Sequence, residues 1–354
     1  MMLARCGGAS GVVLVSRMIV AVLWFVALSN ATFACTFARG AFLKTLDSWS
    51  TTCGHPLCGK IFAGDPEHVK KNPPPCDADV WLTLKDDLTA AVAQGGVILV
   101  GEEHDNPKHH ELRALLGLGN YAAIVFEQIA ADQAPALSDV MGQLKGKINE
   151  GSLETFKSAI GWNTSGWAKY NYDPLLRGAL FSMRPIYAGD VAHSGIMKVA
   201  KEGEAAVPAE ERARLKLDVP LSDKLAAQSV AEIEQAHCGA MPKEALGGMA
   251  YAQRYRDASL ADVALKAVEK HGSAILFSGN GHVRSDRGVP WYIRARAAEK
   301  KVVSIILAEV EDGKTDAESY VPRDPDGKPA ADYIIFTPRS QRGDPCEAMK
   351  KKAD

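Results

Sequence analysis

Between Gly101 and His110 the chain reads GEEHDNPKHH, which sets two carboxylates, an imidazole, a third carboxylate and a histidine pair in one short run. A carboxylate and an imidazole that meet in a cleft shift each other's pKa, which is what proton transfer or metal ligation requires. The same residue types recur downstream: Glu127 after YAAIVF, Asp190 and His193 after PIYAG, and His282 in SGNGH. Gly101–His104 and Gly279–His282 form a matched pair of Gly-x-x-His units, in which glycine lets the chain turn sharply and the imidazole face a crevice. Glu102, His104, Glu127 and His282 are therefore the candidate catalytic residues. His104, Glu127 and His282 are also candidate ligands for a divalent metal such as zinc or iron. Taken singly, each has a plainer explanation. A histidine after a strand is more often a hydrogen-bonded structural residue, Glu127 and Asp190 would serve as helix caps, and His109–His110 would face water at a helix start. Capping does not require histidine, so the recurrence favours chemistry.

The elements that must position these residues are short apolar runs. Val97–Val100, Tyr121–Phe126, Pro185–Ala188, Ala274–Phe277, Val302–Leu307 and Tyr333–Thr337 read as strands buried on both faces. Helical stretches alternate with them: Trp81–Ala93, Glu111–Leu118, 132–150, Pro174–Phe181, a helical insertion at about 196–270 broken at Pro208 and Pro220, and a helix ending near Lys300. Within the insertion, Ser259 with Asp262 three residues on reads as the N-cap of a helix. Leu260, Val263, Ala264, Ala267 and Val268 make its apolar stripe and Gly272 ends it. Alternating strands and helices predict an α/β fold, a three-layer α/β/α arrangement with a mostly parallel sheet. In such a sheet the strands' carboxyl ends share one edge, where ligands bind.

The chain has 354 residues and a net charge of −2, so nothing in its charge favours nucleic acid as a partner. Arg5 and Arg17 precede the apolar run Met18–Leu28 and small residues lead to Ala34, the pattern of a secretory signal over residues 1–34. Its removal takes two arginines and no acid, moving the balance from −2 to −4. The run is short for a membrane span, and Thr32, Phe33 and Ala34 lack the aliphatic residue that lipidation of Cys35 would want. The expectation is a periplasmic or secreted protein with at most weak membrane association. Residues 35–78 read as an irregular Cys/Pro-rich lead-in, 79–338 as the α/β domain, and 339–354 as a charged, mobile tail. Cys35, Cys53, Cys58, Cys76, Cys238 and Cys346 form an even set suited to disulfides, with the pairing left open. Cys53 and Cys58 with His55 between them are a looser zinc alternative. The absence of Cys-x-x-Cys-His excludes covalent c-type haem.

The residues carrying the chemistry also carry a resemblance. His55-Pro-Leu-Cys-Gly-Lys-Ile61, the run Leu99–His110, Val125-Phe-Glu127, Tyr172-Asp-Pro174, Pro185–Asp190 and His237-Cys-Gly239 match in order. Ala252-Gln, Arg256-Asp257-Ala258, Gly279-Asn-Gly-His-Val-Arg284, Asp286 and Gly288-Val-Pro290 follow. Over roughly residues 50–310 the chain resembles the ChaN-like haem-binding uptake family of the Tiki and erythromycin-esterase-like superfamily. The resemblance implies a three-layer α/β/α domain, exported and concerned with haem or iron acquisition. In the wider superfamily the same Gly-x-x-His pair and intervening glutamate occur in hydrolases and in proposed metal-dependent peptidases.

Two functions follow as expectations. In the first, the protein binds haem for uptake. Tyrosinate suits ferric haem that must be handed on, and the loop holding Trp162 and Trp167 supplies Tyr170 and Tyr172. Lys108 and Arg284 would meet propionates, His193 would add a further contact, and a homodimer would cover both faces of a flat porphyrin. In the second, a hydrolase, His104 is the general base, Glu102 orients it, and Glu127 and His282 complete a site for a metal or a polarised carbonyl. No Gly-x-Ser-x-Gly elbow occurs, which argues against a serine esterase, and the glycines near Gly279 lack dinucleotide-binding spacing.

Overall fold

The computed structural model describes residues 40–71, 80–344 and 346–347; the expected signal segment, Cys35, Cys76 and the end of the tail lie outside them. Along the chain come α1 (Ala41–Thr52), β1 (Ile61–Ala63), α2 (Pro66–Lys71), α3 (Val80–Ala93), β2 (Val97–Val100), α4 (Pro107–Leu116), β3 (Ala123–Ala130), α5 (Ala134–Leu144), α6 (Ser152–Ala159) and α7 (Asp173–Phe181). They are followed by β4 (Ile186–Asp190), α8 (His193–Glu202), α9 (Ala209–Leu215), α10 (Asp223–Ala236), α11 (Lys243–His271), β5 (Ala274–Phe277), α12 (Val289–Arg296), β6 (Val302–Glu309) and β7 (Tyr333–Thr337). Among the described residues no helix is long and apolar enough to cross a membrane.

The seven strands form one sheet in the order β1-β7-β6-β2-β5-β3-β4. β1 is antiparallel to β7, and every other pairing is parallel. All four residues of β2 and all four of β5 are buried, as continuous apolar runs in the middle of a parallel sheet should be. The chain runs outward from β2 to β3 and β4, then returns to lay β5 between β2 and β3. It crosses afterwards to β6 and β7 on the other flank. The connections that leave β2 and β5 therefore diverge, which opens the crevice used by ligands in such sheets.

Four local readings of the sequence change. The lead-in is not irregular throughout: it contains α1, β1 and α2, and β1 extends the sheet with Ile61 opposite Ile335. Cys53 is disulfide-bonded to Cys58, which removes both from any zinc site, and His55 Nδ1 accepts a hydrogen bond from Leu57 N at 3.2 Å. Helix α4 begins at Pro107 rather than Glu111, because Asn106 Oδ1 caps Lys108 N at 2.8 Å and proline suits the first helical position. His109 and His110 consequently sit inside the helix and are buried. Ser259 lies in the middle of α11, and the Asp262 carboxylate is taken by Arg214, Lys266 and Arg296 instead of by a helix start.

Two adjacent glycines on α11 separate propensity from packing. A Cβ on Gly248 would fall 2.0 Å from the carbonyl oxygen of Ala200 on α8, whereas one on Gly247 meets nothing within 4 Å. Gly248→Ala is expected to cost about 1–3 kcal/mol through overpacking. Gly247→Ala should add up to about 1 kcal/mol from helix propensity. Urea midpoints that move the same way for both would contradict this contact.

Candidate functional site

Glu102 follows β2 and its side chain is fully buried beneath the carboxyl edge of the sheet. Burying a carboxylate is costly unless donors surround it, and here a guanidinium and three hydrogen-bond donors do. Arg113 of α4 pairs with Oε2, and His110 Nε2 lies 3.2 Å from the same oxygen. Tyr172 Oη donates to Oε1 at 2.5 Å, Gln128 Nε2 at 2.8 Å and His104 Nδ1 at 2.9 Å. Arg113 is itself wholly buried, its guanidinium 4.9 Å from the centre of the Phe277 ring, and burial pulls its pKa down to about 10. Burial likewise lowers His110, against the pull of carbonyl acceptors at both ring nitrogens (Asn171 O at 2.7 Å, His104 O at 3.1 Å). Burial pushes the Tyr172 phenol upward, and its ring stacks on His110 with centroids 3.9 Å apart.

A second cluster forms around Glu127. β3 runs past Phe126 through an irregular stretch, so Glu127 and Gln128 lie inside the strand rather than after it, and Glu127 caps no helix. Glu127 Oε2 accepts from Gly279 N at 2.6 Å, and Oε1 accepts from Arg256 Nη2 at 2.6 Å and faces His282 Nε2 at 3.2 Å. Burial opposes its charge, but His282 and Arg256 hold its carboxyl well below the usual range. His282 Nδ1 donates to Asp257 Oδ1 at 2.6 Å. Held between two carboxylates, and despite burial, the imidazole is raised to about 10 and is an imidazolium at neutral pH. Arg256 also forks onto Asp190, the last residue of β4, at 2.6 to 3.1 Å. Gln253, Arg256 and Asp257 occupy one face of α11 at i, i+3 and i+4, the spacing that aims three polar side chains at one edge.

His104 joins the two clusters. Its Nδ1–H points at Glu102, so the neutral ring keeps its lone pair on Nε2. A Cβ built on Gly279 would lie 2.8 Å from that Nε2 and 3.7 Å from Glu127 Oε2, so the missing side chain leaves the imidazole facing the Glu127 carboxylate. The His104 side chain is 35% exposed and meets the Trp167 ring edge-on with centroids 4.9 Å apart. A carboxylate-backed imidazole at an open rim can accept a proton or support a bound group.

The family model described as haem-binding uptake, Tiki superfamily, ChaN matches residues 88–293, more than half of the chain, and spans every residue of both clusters. This chain belongs to that family. The structure described as cofacial heme binding to ChaN of Campylobacter jejuni is similar to it at 20% identity and a TM-score of 0.51, covering 71% of this chain and 90% of that one. At that identity the likeness is one of fold. The type III effector HopBA1 (11% identity, TM-score 0.35, 72% of this chain and 94% of that one) is more distant. A Bacillus cereus protein (14%, TM-score 0.31, 63% and 68%) is more distant still. No curated protein matches.

Within the family's span the structure thus brings Glu102, His104, Glu127 and His282 to one edge. His104, Glu127 and His282 do not make a metal centre, and among the described residues no three His, Cys, Asp or Glu side chains are placed to hold a metal ion. The reason is that both nitrogens of His282 and both oxygens of Glu127 are already committed to protein partners. Tyr172 is wholly buried with its hydroxyl on Glu102, which takes it away from any ligand at the rim. Tyr170 stays half-buried beside Trp167, and among the described residues nothing hydrogen-bonds its hydroxyl. Lys108 pairs with Glu111 at the start of α4, and His193 is exposed at the first position of α8. Arg284 is buried, forks onto Asp286, and lines a separate cavity of about 750 Å³ shared with Glu103, Asn280 and Arg342. Arg113 and Gln128 complete the clusters without having been singled out in the sequence, and Arg256 and Asp257 stood there only as a matched run of the resemblance. Arg113 stands one turn after His110 on α4, and that i, i+3 spacing is the signal that would have found it.

Proposed function

We propose that this protein binds haem on the rim formed by Trp167, Tyr170 and the exposed edge of His104, with Tyr170 as the side chain that reaches the iron. Family membership supports haem as the ligand. The observation that carries the site is the contrast between two tyrosines: the Tyr172 hydroxyl is spent on Glu102, while the Tyr170 hydroxyl has no partner among the described residues. That donor set fits haem, whose iron accepts a tyrosinate ligand. Trp167 supplies an aromatic surface for the porphyrin, and His104, fixed by Glu102, supports that indole from beneath. Lys169, 4.7 Å from the Tyr170 ring centroid, and Lys108 supply positive charge for the propionates. A flat ligand on an open rim leaves one face uncovered, which a second copy of the chain would cover. The signal segment and the disulfides suit export to an oxidising compartment and a role in iron uptake.

Titration of the purified protein with ferric haem tests this reading. A Soret band that saturates at fixed stoichiometry is expected. Tyr170→Phe should weaken binding by about tenfold or more, ~1.4 kcal/mol, and Tyr172→Phe should leave the haem spectrum unchanged. No saturation, or an unaltered spectrum in Tyr170→Phe, defeats the proposal. A second reading, general-base hydrolysis, is favoured by one observation: the open Nε2 of His104 facing Glu127 across Gly279. It requires haem-free cleavage of an ester or peptide that disappears in His104→Ala.

A further inference from the structure

The segment after β7 was expected to be a mobile tail, yet as far as Arg342 it is bonded to the loop that carries His104. Asp105 and Asn106 follow His104 directly. Arg342 Nε meets Asp105 Oδ2 at 2.6 Å, and Ser340 Oγ donates to Asp105 O at 3.2 Å. Asn106 Nδ2 donates to Pro338 O at 2.9 Å and to Glu309 Oε1 at 2.7 Å. Ser340 N donates to that same Glu309 oxygen at 3.1 Å, and Arg342 Nη1 reaches Glu309 Oε2 at 2.9 Å. Cys346 is then disulfide-bonded to Cys238, just beyond α10 and 108 residues away in sequence. The segment is thus anchored by the sheet at one end and by a covalent bond at the other, and between them it grips the His104 loop.

We propose that residues 338–344, with Cys346, form a covalently anchored strap in which Ser340 and Arg342 are positioning residues for the loop 102–106, and so for His104. An exposed ion pair alone contributes little, and the strap gains its hold because the disulfide keeps Arg342 close to Asp105. Its consequence for haem rests on the reading above; its consequence for the loop does not.

Amide hydrogen exchange on the full chain tests the strap. Glu103 N, bonded to His109 Nδ1 at 2.8 Å, and Asn106 N, bonded to Glu103 O at 3.0 Å, report the loop. The β5 amides of Leu276 and Phe277 report the sheet. Arg342→Gln and Cys346→Ser should each speed exchange at Glu103 and Asn106 by about tenfold with the β5 amides unchanged, and Arg342→Lys should recover part of the protection. Arg342→Gln keeps the disulfide, so it decides the matter if Cys346→Ser does not fold. Unchanged loop exchange in Arg342→Gln, or loop and β5 amides accelerating together, would overturn the strap. If the wild type takes up no haem, the haem reading alone falls.

Discussion

Replacing Arg113 with leucine is expected to cost about 3–5 kcal/mol of folding stability, because it leaves Glu102 buried without its cation. The remaining donors to Glu102 are a phenol, an amide and the His104 imidazole, and burial opposes charge on the neighbouring His110. None supplies a permanent positive charge. Arg113 also fills space against Phe277, which leucine fills only in part. The double variant Arg113→Leu with Glu102→Gln should recover a large part of the loss, since both charges are then gone. Urea unfolding of the two variants checks this; a midpoint for Arg113→Leu close to that of the wild type would show that Glu102 does not depend on this cation.

The second large effect is a stability maximum near pH 6.5 with a histidine behind each limb. His282 titrates at about 10 in the folded chain, against an ordinary value of 6.5. Below pH 6.5 both states hold the proton and its full contribution is present. As pH rises toward 10 only the folded state holds it, so stability falls by up to about 1.4 kcal/mol per pH unit. Asp257 and Glu127, with Arg256 beyond them, are the charges that face this ring, so the proton belongs to the whole cluster. His109 behaves in the opposite sense. Burial lowers it to about 3, and its Nδ1 accepts from Glu103 N while its Nε2 donates to Thr337 Oγ1 at 2.7 Å. As pH falls from 6.5 toward 3 the unfolded state gains a proton that the folded state refuses, and stability falls again. The depressed Glu127 adds to this acid limb below its ordinary value of 4.5. Urea midpoints measured from pH 4 to 10 should trace the maximum, and His282→Gln should flatten the alkaline limb. A wild-type midpoint that stays level across the alkaline range would rule out a buried imidazolium.

Much of this arrangement was legible before any coordinates. Val97–Val100 and Ala274–Phe277 announce themselves as central parallel strands because nothing polar interrupts them, and the Gly-x-x-His units that follow mark the edge where both clusters assemble. What the chain concealed was burial of polar residues. His109 and His110 look solvent-facing until Asn106 and Pro107 are recognised as a helix start four residues earlier. Tyr172 reads as a haem contact and Arg113 draws no reading at all until Glu102 is seen to need them, since a buried carboxylate recruits donors from distant segments and local periodicity carries no trace of that. Arg256 and Asp257 fall in a helix whose polar residues are spread around it, so the face turned to the sheet edge was not distinguishable. β1 is three residues long and pairs with the far end of the chain, too short for any alternation to show. The strap depends on a disulfide spanning 108 residues, and cysteine counting cannot supply a pairing.

The claim on which the account rests is that Tyr170, not a buried residue of either cluster, meets the haem iron at this edge. Resonance Raman spectroscopy of the ferric haem complex tests it most directly. The account predicts iron–phenolate vibrations that are present in the wild type and in Tyr172→Phe and are absent in Tyr170→Phe. An imidazole-ligated spectrum, or phenolate bands that persist in Tyr170→Phe, would contradict it.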